Sequence, residues 1–386
     1  MIKRHSPALT ADPMALIVEA ASDRAAVPTF CAGLPTAPQP ASRIPSADGI
    51  RGIACLMVVL VHCTGMMLPA TAPFLSGTGK IGVWLFFVLS AYLLTLSLLA
   101  QRLSTTTLVA YALSRFFRIY PLYVLVVLLA YAGRMIGIDS WQAVWRAVSL
   151  QQGFGHLWTI PVEFTFYLFL PMLVWAGVRI DRHAGRTAVF AVAVVAVGCH
   201  QWLFPFWRLP ENSVELVWYL PAFVFGMMGA FVQNDARQPA DKAANNPAGL
   251  WCGIAILLAI LLSTPFMRAL LFGQAPSNDL MNKFLFFSLL WAVFIVSQHR
   301  WPNALSHLLS RRGISLIGRW SYSIYLFHFF IAIQFGVWFS GQPAMVVVAV
   351  GCSILVGWLS FTVCELPMLR LRQWVWGRLR AMLPGQ

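Results

Sequence analysis

In the apolar stretch "DGIRGIACLMVVLVHC", residues 48–63, a basic residue stands at the mouth and a histidine lies eleven positions further in: Arg51 and His62. Eleven residues are close to three helical turns, so the two share a face, and Asp48 joins them if the helix starts that early. At about 1.5 Å per residue, His62 lies roughly 16 Å from Arg51, near a bilayer midplane. An imidazole held there can act as a general base or a nucleophile. It can also simply hydrogen-bond a neighbouring helix as packing glue. A charged side chain at mid-bilayer costs roughly 2.5–3.5 kcal/mol on insertion scales, so every ionisable group inside an apolar run asks for a reason. Glu163, in "HLWTIPVEFTFYLFLP", and His328, in "SYSIYLFH", are the other cases. Glu163 is the one acidic residue expected well inside a span, and it reaches a similar depth from the opposite side. It is therefore expected beside His62, orienting the ring and raising its basicity.

Two further stretches offer contacts rather than chemistry. In "SRFFRIYP", residues 114–121, Arg115 and Arg118 are three apart on one helix face. Such a pair anchors a helix at the cytoplasmic surface, or forks onto the phosphates of a cytosolic donor. In "GVWLFFVLSAYLL", residues 82–94, Ser90 and Ala91 sit mid-segment. Small residues there favour close helix packing, with Ser90 as a site contact the second reading. No GxxxxGK[ST] or strand-borne GxGxxG is present, which argues against nucleotide hydrolysis and a Rossmann cofactor.

The elements that must position these residues are membrane helices. Of 386 residues 59% are hydrophobic and 10% charged, against about 25% charged in soluble domains. Apolar segments of spanning length fall near 51–68, 81–101, 119–138, 157–178, 187–204, 214–232, 249–267, 281–298, 314–339 and 344–363. The expected fold is an all-α transmembrane bundle of about ten spans. Most of the 27 Lys and Arg residues flank one side of it, which puts both termini in the cytoplasm. The same flanking pattern explains the net charge of +14 without nucleic acid. Residues 1–46, rich in Ala and Pro, read as a disordered cytoplasmic tail; 47–370 form the membrane domain and 371–386 a basic cytoplasmic tail. The seven cysteines form no CxxC pair and read as apolar filler, so neither a disulfide framework nor a metal site is expected.

Taken in order, these motifs resemble the membrane acyltransferase 3 family over about residues 47–370. The family's basic residue, ten residues and histidine are matched by Arg51 and His62. Its aromatic pair followed by serine–glycine is matched by Phe86, Phe87 and Ser90, with Ala91 replacing the glycine. Its two arginines leading to a proline fall on Arg115, Arg118 and Pro121, and its acidic segment on Glu163. "SYSIYLFH" at 321–328 and "CELP" at 364–367 resemble its C-terminal landmarks.

The resemblance implies an O-acyltransferase of the bacterial inner membrane. An acyl group, first of all acetyl, would move from cytosolic acyl-CoA, a co-substrate rather than a bound cofactor, to a carbohydrate hydroxyl. His62 and Glu163 would be catalytic, with His62 deprotonating the acceptor or taking the acyl group itself. Arg51, Arg115 and Arg118 would hold the donor, with Asp48, Ser90 and His328 as contacts. Expected partners are a carbohydrate acceptor and membrane lipids, with a homodimer left open. The appended extracytoplasmic domain of some members is expected to be missing. A proton-coupled secondary transporter using intramembrane His and Glu is the competing class.

Overall fold

The computed structural model describes residues 45–235 and 246–382. Most of the expected N-terminal tail, the basic residues Arg237 and Lys242, and the last four residues of the C-terminal tail lie outside the described residues.

All regular structure among the described residues is helical. In chain order the α-helices longer than four residues are α1 (Pro45–Met67), α2 (Thr78–Leu99), α3 (Thr105–Ala132), α4 (Trp141–Val148) and α5 (Thr159–Leu203). They continue as α6 (Leu216–Asp235), α7 (Pro247–Leu262), α8 (Pro265–Phe272), α9 (Phe284–Arg300) and α10 (Ala304–Leu309). The last are α11 (Arg312–Trp338), α12 (Pro343–Ser360) and α13 (Leu366–Met382), with a π-helical turn, Phe361–Glu365, joining α12 to α13. The basic residues from 371 onward thus begin within a helix.

Seven helical segments are long and apolar enough to cross a membrane, or eight if the bent pair α7–α8 is one span. The chain is a multi-pass membrane protein. All ten segments expected from sequence fall on helices, yet fewer qualify singly, for three local reasons. The segments 157–178 and 187–204 share α5, whose run is interrupted by non-helical Gly185 (φ 81°, ψ 170°). The segment 249–267 is bent by 78° at the break before Pro265, and 281–298 shortens to the 17 residues of α9. Gly185 sits among Arg179, Asp181, Arg182 and Arg186, and Arg186 forks onto Asp181 at 3.0 and 2.8 Å. A charged break between two apolar halves has the character of a membrane-surface turn.

Small residues decide which helices meet. α1 packs most extensively against α11. A Cβ on Gly52 would lie 2.5 Å from the Ile314 carbonyl oxygen, and one on Gly318 1.7 Å from that of Asp48; Gly49 meets the end of α10 in the same way, 1.8 Å from the Leu309 oxygen. Only glycine permits this backbone contact, as at small-residue crossings in membranes generally. The Ser90-Ala91 pair packs closely as well. Ala91 is fully buried, and Gly226 on α6 supplies the missing space, since a Cβ there would lie 2.3 Å from the Val88 oxygen. Prolines inside α3, α5 and α6 (Pro121, Pro171 and Pro221) are tolerated because neighbouring helices can satisfy the backbone groups they free.

Candidate active site

Two cavities that share lining residues lie inside the bundle. The larger, of about 690 Å³, is lined by Asp48, Arg51, Ser90, Arg115, Arg118 and Glu163, so one space gathers six of the eight residues singled out in the sequence. The smaller, of about 330 Å³, is lined by His62, Lys80, His156, Trp158, Glu211 and Asn278, among others. Val83 and Tyr325 line both.

The larger cavity presents three guanidiniums whose donors are unequally committed. Arg51 lies 3.5 Å from Asp48, whose second oxygen is 3.9 Å from Arg319 on α11. Arg118 is paired with Glu365, a carboxylate that also accepts from the Ser323 hydroxyl. Arg115 donates to the Ser114 hydroxyl at 3.0 Å and lies 6.0 Å from the Tyr167 ring centre, while its buried Nε has no hydrogen-bond partner. A half-buried guanidinium that lines a cavity and has one neutral hydroxyl as its hydrogen-bond partner suits an anionic ligand.

Glu163 is not paired with His62. Its Oε2 accepts from the Tyr167 hydroxyl at 2.7 Å, one turn further along α5, and the Tyr167 carbonyl accepts from Tyr111 at 3.0 Å. The expectation that Glu163 orients His62 therefore gives way to a different pairing: the carboxylate faces the arginine cavity, and the imidazole lines the other. The reason is rotational. Depth along two helices can be read from residue number, but the face each side chain takes depends on how the helices are turned towards one another.

The partner of His62 is His328. His62 Nδ1 lies 2.9 Å from His328 Nε2, and His328 Nδ1 lies 2.7 Å from the Tyr325 carbonyl oxygen. A carbonyl only accepts, so a neutral His328 carries its proton on Nδ1 and offers Nε2 as an acceptor. His62 must then donate from Nδ1, which leaves the lone pair on its Nε2. That nitrogen borders Gly79 of the smaller cavity, 3.9 Å from where a Cβ on that glycine would stand. An imidazole with a fixed tautomer and a free Nε2 is built to accept a proton.

Two residues at the site escaped the sequence reading. His156 lies in the 3-10 turn Gly155–Trp158, stacks on Phe329 at 4.8 Å and donates from Nε2 to the Leu326 carbonyl at 3.0 Å. Its buried Nδ1 has no partner. Glu365, 3% exposed, shows that Glu163 is not the only acidic residue buried in the bundle. Both were visible as the first residue of "HLWTIPVEF" and within "CELP". They lie at segment edges, where hydropathy alone assigns side chains to water. The junction itself is tied by Tyr325, whose hydroxyl donates to the His156 carbonyl and accepts from Thr159 at 3.0 Å. No group of three or more His, Cys, Asp or Glu is placed to hold a metal ion among the described residues.

The model of the acyltransferase domain that defines the acyltransferase 3 family matches residues 44–363. The chain belongs to that family. It is 25% identical over 360 residues to the peptidoglycan O-acetyltransferase of Listeria monocytogenes, covering 84% of this chain and 56% of that protein. It is 26% identical over 369 residues to a protein of Bacillus subtilis named as a candidate peptidoglycan O-acetyltransferase, covering 84% and 55%. A Staphylococcus aureus protein named as a candidate O-acetyltransferase is 21% identical over 367 residues, covering 84% and 57%. The chain thus spans little more than half the length of the curated relatives it matches. No solved structure matches it. Membership of the acyltransferase 3 family sets the competing transporter expectation aside.

Proposed function

We propose that this protein moves an acyl group, acetyl in the first instance, from cytosolic acyl-CoA to a carbohydrate hydroxyl presented on the opposite side of a bacterial inner membrane. The observation that carries this reading is the pair of cavities that share Val83 and Tyr325, one bordered by three arginines and the other by the free face of His62. The larger cavity takes the donor. Its arginines face the phosphates, with Arg51 and Arg115 less committed than Arg118, and the thin pantetheine arm reaches towards Tyr325.

The smaller cavity takes the acceptor hydroxyl. Its proton passes to His62 Nε2 as the new C–O bond forms at the thioester carbonyl. The C–S bond breaks, and the departing thiolate recovers the proton from His62. Glu163 belongs to the donor half, where it balances Arg51 and Arg115. The names of the relatives make a peptidoglycan sugar one candidate acceptor. With an even number of crossings and cytoplasmic termini, the start of α1 and the end of α2 that border the larger cavity face one side, and the start of α2 that borders the smaller faces the other. Asp48, Ser97 and Arg118 then lie inward, and Ser76, Glu211 and Asn278 outward, which supports this arrangement.

The test is His62→Ala in proteoliposomes supplied with radiolabelled acetyl-CoA, alongside mass spectrometry of surface glycans from cells with and without the protein. A general base contributes about 10²–10⁴-fold, so transfer is expected to fall at least that far while insertion and amount stay unchanged. A folded His62→Ala protein with wild-type turnover would remove the proposed mechanism.

A further inference from the structure

His328 is fully buried, does not line either cavity and so touches no reacting atom. Its two ring nitrogens are nevertheless both committed, one to the Tyr325 carbonyl at 2.7 Å and the other to His62 at 2.9 Å. We infer that His328 is a positioning residue that holds His62 in the single tautomer whose Nε2 lone pair is free at the acceptor cavity. This rests on the acyl-transfer reading only for its consequence; the tautomer itself is a property of the resting protein.

The chain of bonds runs in one direction. The Tyr325 carbonyl fixes the proton on His328 Nδ1, His328 Nε2 fixes the proton on His62 Nδ1, and the lone pair is left on His62 Nε2. The rings of His62 and His328 lie near parallel, with centroids 5.2 Å apart and 25° between planes, while Phe329 meets His62 edge-on at 5.1 Å. The His328 and Phe329 rings pack against His62 in the orientation that the hydrogen bond to His328 selects. Serine-protease sites use a carboxylate in this position. Here the partner is a neutral imidazole, which orients the base without the desolvation cost of a second buried charge. When His62 takes the acceptor's proton, His328 Nε2 remains the acceptor of its Nδ1–H and stabilises the imidazolium through a charge-assisted bond. No further co-reactant is needed, because the proton leaves again with the thiolate.

The other titratable and charged groups around His62 are His156 on the 3-10 turn, Tyr325 on α11, Lys80 on α2 and Glu211 in the loop after α5. All remain in place in the variants that follow and form a common background. His328→Leu removes both hydrogen bonds. His328→Gln can accept from His62 through Oε1 and donate to Tyr325 through Nε2. His328→Glu places a carboxylate against His62.

The measurement is ¹⁵N-histidine NMR in proteoliposomes, with the His62 signals identified by their loss in His62→Ala, followed by kcat and KM against pH with acetyl-CoA. Wild type is expected to show His62 protonated at Nδ1. His328→Leu is expected to lose that signature and about 10²–10⁴-fold in kcat, with KM for acetyl-CoA within about threefold. His328→Gln should recover to within about tenfold of wild type, and His328→Glu should move the acid limb of kcat/KM upward by about one unit or more. Wild-type His62 protonated at Nε2 overturns the proposal, as does a folded Leu variant with tautomer and turnover unchanged. A Gln variant that folds but is no better than Leu also overturns it, since volume rather than bonding would then be the role. If the Nδ1–H signature is present in wild type and lost in Leu while wild type transfers no acyl group, the positioning stands and the acyl-transfer reading fails.

Discussion

Glu163 is held by one neighbour, the Tyr167 hydroxyl, and lies within electrostatic reach of Arg51 and Arg115 across the larger cavity. At the scale of this residue, Glu163→Gln keeps an acceptor for Tyr167, so the stability change is expected to stay below about 1 kcal/mol. The negative charge beside the arginines is lost. Acyl-CoA is therefore expected to bind about threefold tighter or more, because a like charge no longer opposes its phosphates. The acid limb of the turnover profile should stay where it is, since the carboxylate does not touch His62. Turnover against pH, with protein amount matched to wild type, checks both statements. An acid limb displaced to lower pH would return Glu163 to the role of orienting His62.

At the scale of elements, α3 contributes two arginines with different duties. Arg118 reaches across to the π-helical turn between α12 and α13 and neutralises Glu365, while Arg115 lines the cavity with no carboxylate bonded to it. A π turn inserts an extra residue per turn and so re-aims the side chains that follow it, here a carboxylate turned into the bundle. Arg115→Gln is expected to weaken acyl-CoA binding by about 1.5–3 kcal/mol, roughly tenfold or more, with thermal stability unchanged. Arg118→Gln should instead cost about 3 kcal/mol of stability, the low end for a broken buried pair because its side chain is 24% exposed. The double variant with Glu365→Gln should recover most of that loss. Competition binding and thermal unfolding of the three proteins separate the two roles, and equal loss of affinity at both arginines would contradict the division.

For the whole molecule, the proposed reaction requires the two cavities to open to opposite sides of the membrane. Ser97 lines the larger cavity and Ser76 the smaller, at opposite ends of the region spanned by α2. In intact cells, a membrane-impermeant maleimide is expected to label Ser76→Cys above the parent protein and to leave Ser97→Cys unlabelled until the membrane is broken. The reverse pattern would invert the proposed orientation, and equal labelling of both would mean that one compartment reaches both cavities. Outside the membrane segments, Asp279 shows how the connection between α8 and α9 is tied. Burial pushes its carboxyl up, but hydrogen bonds from Arg268, Lys283 and Ser277 outweigh it and hold the group below the usual carboxylate range. The stability from that cluster is present above the ordinary carboxylate pKa and fades only as pH falls towards the lowered folded value.

The sequence by itself determined the class of this protein. Apolar runs of spanning length, charge confined to their ends and the ordered motifs from Arg51 to "CELP" led to a helical membrane acyltransferase domain, and the family match supports it. The spacing of Arg51 and His62 placed a histidine, the proposed base, deep on α1, because a helix fixes rise and rotation per residue. Which residue would meet that base was decided only by the tertiary structure. Contact between helices depends on their relative rotation and distance. Both are set here by backbone approaches such as Gly49 to Leu309 and Gly318 to Asp48, which involve residues more than 250 positions apart. The second of those approaches, with that of Gly52 to Ile314, brings α11 against α1 and so gives His62 a histidine partner. Glu163, read from depth alone as that partner, was turned instead towards Tyr167 and the arginines.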